Sequence, residues 1–130
     1  MAFVSVTRLR LRSVRFLPAF MWYAARSKRQ AKKSEGLLTV ATRRSRGLTF
    51  WTLTVWARAD DMVAFRRAPP HRSAMSRLQN WCSEAAVTNW GQMQDERPAW
   101  DAAAARLRAD PKLMLVNYPS AQHLAGQIGD

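Results

Sequence analysis

The stretch "LTFWTLTVW", Leu48 to Trp56, is large and apolar on both sides of an extended backbone, and this constrains the chain more than any other feature. On a strand, Trp51, Leu53 and Val55 point one way, while Phe50, Thr52, Thr54 and Trp56 point the other. A sheet with helices on one face leaves its second face bare, and here that face carries large apolar groups. Something has to cover it. A second copy of the chain is the economical answer, because two such sheets packed face to face make a closed, barrel-like core.

The neighbouring signals place this strand in an order. From Phe3 to Leu11 the sequence alternates, with Phe3, Ser5, Thr7, Leu9 and Leu11 opposite Val4, Val6, Arg8 and Arg10, which predicts a first strand. Pro18 suits a helix start, and Phe20, Tyr23, Ala24, Ser27 and Ala31 recur at helical spacing up to the basic "KRQAKK" and Gly36. "LLTVATRR" from Leu37 pairs antiparallel with the Leu48 strand across a short "SRG" connection. Asp60 and Asp61 open a helix that Pro69 stops, Pro70 takes the first turn of the next, and "EAAVTNW" after Cys82 is a fourth strand. The chain is therefore expected to be α+β, a ferredoxin-like βαββαβ protomer with helices on one sheet face. Residues 1–91 form this domain. Residues 92–130 form a C-terminal extension with a helix near 98–109, an edge strand near 113–118 and a loose end.

With 130 residues and 48% hydrophobic content, the chain has room for one core and is too apolar for a disordered tail. The net charge of +12 is concentrated in residues 1–47, where nine Arg and three Lys face Glu35 alone. No recognition-helix, RNP or zinc-finger pattern accompanies it, so a solvated surface is favoured over nucleic-acid binding, with an anionic-surface binder as the weaker alternative. Cys82 is the only cysteine and cannot form an internal disulfide, which fits a reducing, cytoplasmic setting. The apolar run "FLPAFMWYAA" is too short to span a bilayer. The strand-like "FVSVTRLRLR" before it speaks against a targeting peptide, so the segment stays within the fold.

No serine elbow, Gly-rich phosphate loop, carboxylate pair, flavin or nicotinamide motif or metal-ligand spacing is present. The remaining candidate is "FRRAPPHRSAM", Phe65 to Met75. If the second helix of the pair begins near Pro70, His71 shares a face with Met75, Leu78 and Cys82 and points inward. A helix N-terminus disfavours imidazolium, keeping the ring neutral. Two readings stand: a buried histidine satisfied by a backbone carbonyl, and a ligand or general base in a pocket. Glu84 is read as a surface residue, with the orientation of an Arg or His as the alternative.

The blocks "VTRLRLRS" at Val6, "ARSKRQAKKSEGLL" at Ala25, "FWTLTVWARADDMVAFRR" at Phe50, "HRSAM" at His71, "WCSEAAVTNW" at Trp81 and "YPSAQH" at Tyr118 resemble the spheroidene-monooxygenase-like proteins. These belong to the dimeric α/β-barrel superfamily, with the antibiotic-biosynthesis monooxygenases and haem-degrading oxygenases. The resemblance implies a homodimer with a pocket in each protomer between sheet and helices. It also implies chemistry on an apolar aromatic or polyene molecule, with haem as cofactor or substrate in some branches. On this reading His71 is the general base, or the metal ligand if haem is bound. Asn89 donates to a developing enolate or bound oxygen, Trp51, Trp56 and Met75 wall the pocket, and Arg8 or Arg10 holds an anionic substituent. Pro69 and Pro70 replace the family's Gly and Ala before the histidine. Ser83, Ala86 and Asn89 replace its Asp, Ser and frequent His. The competing reading is a non-catalytic dimeric binding or sensing module on the same fold.

Overall fold

A computed structural model describes residues 1–69 and 71–130. In chain order it contains β1 (Ala2–Leu11), a 3-10 turn (Val14–Phe16), α1 (Leu17–Lys33), β2 (Leu37–Arg44), β3 (Thr49–Trp56), α2 (Ala59–Arg67) and α3 (His71–Trp81). β4 (Cys82–Gln92), α4 (Trp100–Ala109), β5 (Lys112–Leu113) and α5 (Ala121–Leu124) follow. The strands form one antiparallel sheet in the order β2-β3-β1-β4-β5. Its first four strands have the ferredoxin-like arrangement expected from the order of signals, with β1 at the centre. The expected role of Pro70 in the first turn of α3 lies outside the described residues.

Local chemistry explains the boundaries. Pro18 sits in the first turn of α1, where its missing N–H costs nothing, and Lys32 and Lys33 occupy the last turn. Gly36 then takes a φ of 83°, a conformation that disfavours other residues, and a Cβ there would run into the Asp61 side chain. Asp60 and Asp61 lie in the first turn of α2, and Arg66 and Arg67 lie in its last.

Strand register separates the two sheet faces. Ser5 pairs with Thr54 and Asn89, and Thr7 with Thr52 and Val87, so these side chains share the face beneath α1, α2 and α3. Val4, Val6, Trp51, Leu53, Val55 and Ala86 occupy the opposite face. That second face is covered by the chain's own C-terminal residues. Ala103, Ala104 and Leu107 of α4 pack into the same core cluster, with Trp100, Trp90 and Ile128 around it. The bare face that called for a second copy is therefore absent, because an Ala-rich helix can lie close to a sheet.

The rest of the extension also differs from expectation. The edge strand is only Lys112–Leu113, paired with Val87 and Ala86. The C-terminus is tied down: Ser120 caps α5 by accepting from His123 N–H, Ile128 packs on the core, and the Arg8 guanidinium donates to the main-chain oxygen of Asp130 at 3.0 and 3.3 Å.

Candidate functional site: a cavity between the sheet and three helices

A cavity of about 240 Å³ lies between the sheet and α1–α3. Its floor is mixed, with the hydroxyl groups of Ser5 and Thr7 of β1, Thr42 of β2, and Thr52 and Thr54 of β3 beside the aliphatic Leu9, Val40 and Val87. These residues follow from the period-2 pattern, because Thr42, Thr52 and Thr7 are successive cross-strand partners on one face. The roof is apolar and aromatic, with Phe20, Tyr23 and Ala24 from α1, Met62 and Phe65 from α2, and Met75, Leu78 and Trp81 from α3. Arg66, Lys28, Ser27 and His71 add polar groups, and no Asp or Glu lines the cavity among the described residues.

His71 is the first residue of α3 and lines the cavity with Met75 and Leu78. Its backbone N–H donates to Gln30 Oε1 at 2.8 Å, while Gln30 Nε2 donates to the carbonyls of Phe65 and Ala68. One α1 side chain thus joins the end of α2 to the start of α3 and satisfies backbone groups that helix ends leave open. The imidazole lies against Phe65, with ring centroids 4.5 Å apart, and its Nδ1 is buried without a hydrogen-bond partner among the described residues. The backbone-carbonyl bond of the alternative reading is therefore absent at Nδ1.

Burial, and then the positive charge of Arg66, push the His71 pKa down from 6.5 to about 4. The ring is neutral at physiological pH. Because the folded state holds this proton less tightly than the unfolded chain, the stability linked to His71 is complete above about pH 6.5. It is lost as pH falls towards about 4. The full effect corresponds to about 3 kcal/mol. Urea unfolding of the native protein and His71→Gln across this range should show the native protein losing stability faster. Parallel curves would mean that the ring is not buried as described.

The other sequence-predicted residues are distributed differently. Met75 lines the cavity, but Trp51, Trp56, Arg8, Arg10 and Asn89 do not. Trp51 faces α4 and donates its Nε1–H to Ser45 Oγ at 3.2 Å. Trp56 is fully buried beneath Phe65 in a separate cluster with Met62 and Ala31. The two tryptophans are five positions apart, so strand alternation puts them on opposite faces and they cannot wall one pocket. Arg8 is 3% exposed on the α4 side, bonded to Glu84 Oε1 at 2.8 Å, and Arg10 reaches Glu84 Oε2 at 3.3 Å. Both lie across the sheet from the cavity. Glu84 is correspondingly a core residue, 2% exposed, rather than a surface one. Burial alone would raise its pKa, but the hydrogen bond and charge of Arg8, with Ser120 and Arg10, hold it below the usual range.

Asn89 faces the correct side of the sheet but serves a neighbour: its Oδ1 accepts from Arg66 Nη2 at 2.9 Å. Arg66 is the residue that sequence reasoning missed. It stands four positions after Met62 and next to Phe65, both buried, so its helical phase was the signal that it points inward. Cys82 is fully buried and its thiol is pushed up to about 12 by desolvation, leaving it inert at neutral pH. No group of three or more His, Cys, Asp or Glu able to hold a metal ion occurs among the described residues.

The basic first half is only partly a free surface. Arg8 is consumed in the core, Arg12 donates to Asn80 and stacks on Phe16 and Tyr118, and Arg43 lies over Trp51 and Trp100. No helix among the described residues is long and apolar enough to cross a membrane.

A haem, which the resemblance implies in some branches, does not fit these residues. The cavity is smaller than the roughly 300–1,000 Å³ of pockets for drug-sized ligands.

A five-stranded antiparallel sheet with such a cavity under its helices defines an α+β protein with the fold of the antibiotic biosynthesis monooxygenase-like proteins. The solved structures it resembles include a "Putative antibiotic biosynthesis monooxygenase" from Nitrosomonas europaea, with 13% identity, TM-score 0.63 and coverage of 71% of this chain and 90% of that one. SnoaB, a cofactor-independent oxygenase from Streptomyces nogalater, matches with 19% identity, TM-score 0.56 and coverage of 72% and 94%. Rv0793 from Mycobacterium tuberculosis matches with 11% identity, TM-score 0.66 and coverage of 75% and 100%. At these identities the likeness concerns the fold. The chain belongs to the family described as domain of unknown function DUF3291, whose model matches residues 11–110. No curated protein matches it significantly.

Proposed function

We propose that this chain is a monooxygenase-like protein that binds an apolar, aromatic small molecule in the cavity beneath α1–α3. The observation that carries this reading is the cavity itself: a volume of about 240 Å³ with an aromatic roof and a neutral imidazole on its wall. Such a space suits two fused rings better than a long polyene. In an oxygenase of this kind the ring of His71 accepts a proton from the bound molecule, whose own electrons reduce O2: one oxygen atom is added to a ring carbon and the other leaves as water with the two hydrogens the substrate gives up. The finer resemblance, to the spheroidene-monooxygenase-like proteins, rests on the sequence blocks alone.

A second reading, a non-catalytic binding or sensing module, is favoured by one specific observation. An imidazole whose pKa lies near 4 is a weak base at neutral pH. The homodimer that the resemblance implies is not part of either reading as a face-to-face barrel, since α4 occupies the sheet face it would use.

Both readings meet one experiment. Titration with 1-naphthol should quench the fluorescence of the cavity residue Trp81 and saturate, and Ala24→Phe, which fills the cavity, should weaken binding at least about 10-fold. Oxygen uptake with 1-naphthol that His71→Gln abolishes would establish the oxygenase, and saturable binding without uptake would establish the binding module. Binding unaffected by Ala24→Phe would remove the cavity from both.

A further inference from the structure

The cavity carries a charge that the protein leaves unmatched. Arg66 is half-buried, and its two hydrogen bonds, to Asn89 Oδ1 at 2.9 Å and Ser5 Oγ at 3.2 Å, both use Nη2 and both go to neutral acceptors. The remaining donors of the fork, on Nη1 and Nε, have no acceptor among the described residues, and no carboxylate lies within 4.0 Å. Lys28 is a second cation on the lining, again without an ion pair among the described residues. Elsewhere the fold pairs its buried cation, since Arg8 has Glu84. A partly desolvated guanidinium without a counter-charge is costly, and that cost is relieved when an anion arrives. Ser27 Oγ, also on the lining, is buried without a partner among the described residues.

We propose that the cavity selects apolar molecules bearing one anionic oxygen group, a carboxylate or phenolate, which Arg66 binds through its free edge while the ring system lies under Phe20, Tyr23 and Trp81. This rests on the cavity-binding reading and narrows it to a ligand class. Asn89 and Ser5 are positioning residues: they hold one edge of the guanidinium so that the other faces the ligand. The anion also changes the setting of His71. The charged and titratable groups around the cavity are Lys28 and Tyr23 from α1, Arg66 from α2 and His71 from α3, with none from the sheet floor. An anion on Arg66 offsets the positive charge that helps keep the imidazole unprotonated.

The test compares 1-naphthoate with 1-naphthalenemethanol, which share a ring system, by titration calorimetry at pH 7.5. The native protein should prefer the acid about 10- to 100-fold, the range of a charge-assisted hydrogen bond. Arg66→Met should bring the ratio of acid to alcohol affinity to about one within the variant, and Arg66→Lys should restore part of the preference. Equal binding of acid and alcohol by the native protein would overturn the anion site while leaving the cavity reading intact. Binding of neither would sink both. A preference that survives Arg66→Met and disappears in Lys28→Met would overturn the assignment to Arg66. A measurement on the native protein stands independently of any variant: by NMR, saturating 1-naphthoate should raise the His71 pKa and the alcohol should not. An unmoved His71 titration on binding of the acid would place the carboxylate away from Arg66.

Discussion

Replacing Glu84 by glutamine is expected to cost the fold about 3–5 kcal/mol, because it leaves the Arg8 guanidinium buried without its counter-charge. Arg8 and Glu84 are both almost completely buried, their 2.8 Å contact joins β1 to β4, and Arg8 also holds the C-terminal carbonyl of Asp130. A loss of this size is a large part of the total stability of a small domain. Urea unfolding at pH 7 measures it. The double variant Arg8→Met, Glu84→Leu should recover most of the loss, since two apolar groups need no pairing. The sign with pH follows from the lowered Glu84 pKa. The pair's contribution is complete above the ordinary carboxylate value of 4.5 and fades as pH falls through the lower folded value. A Glu84→Gln variant as stable as the native protein would show that the pair is solvated.

Leu107→Ala should destabilise the protein by about 2–5 kcal/mol, the cost of emptying a fully packed leucine site. Leu107 is 0% exposed in α4 and belongs to the same core cluster as Val4, Val6 and Leu53, so it reports directly whether the extension covers the sheet. The loosened helix should also expose that face, and self-association by light scattering should rise in the variant relative to the native chain. A cost below about 1 kcal/mol, within the range of an ordinary surface substitution, would mean that α4 does not pack there.

The strands and helices were legible because their signals are local. The alternation from Phe3 to Leu11, the basic end of α1, and the prolines after Arg67 each act within a few residues, and β2 was expected at Leu37–Arg44, where it lies. The cover over the second sheet face was not legible. An Ala-rich stretch such as "WDAAAARLRA" has a weak apolar stripe, and its partner on β1 lies about a hundred residues away. A second copy of the chain satisfied the same apolar demand as α4 does.

The site was legible in part. His71 and Met75 sit on the cavity wall, as the helical spacing from Pro70 predicts. Arg66 was hidden among like residues, since "FRRA" contains two arginines and only helical phase against Met62 separates the buried one from its exposed neighbour Arg67. The sequence pattern already assigned Arg8 to the face of Val4 and Val6, and a cation on a buried face requires an acid opposite.

What the sequence by itself determined is the order of the elements from β1 to β4 and the parity of the residues along β1 and β3, because alternation and helical phase depend on neighbours in the chain. Tertiary structure alone decided which face became the cavity and which was closed by α4. It also matched Glu84 to Arg8 and left Arg66 facing neutral Asn89 and Ser5. Those outcomes depend on contacts between residues far apart in the chain. A side chain's charge is written in the sequence, but its counter-charge is set by what folding brings within about 4 Å of it.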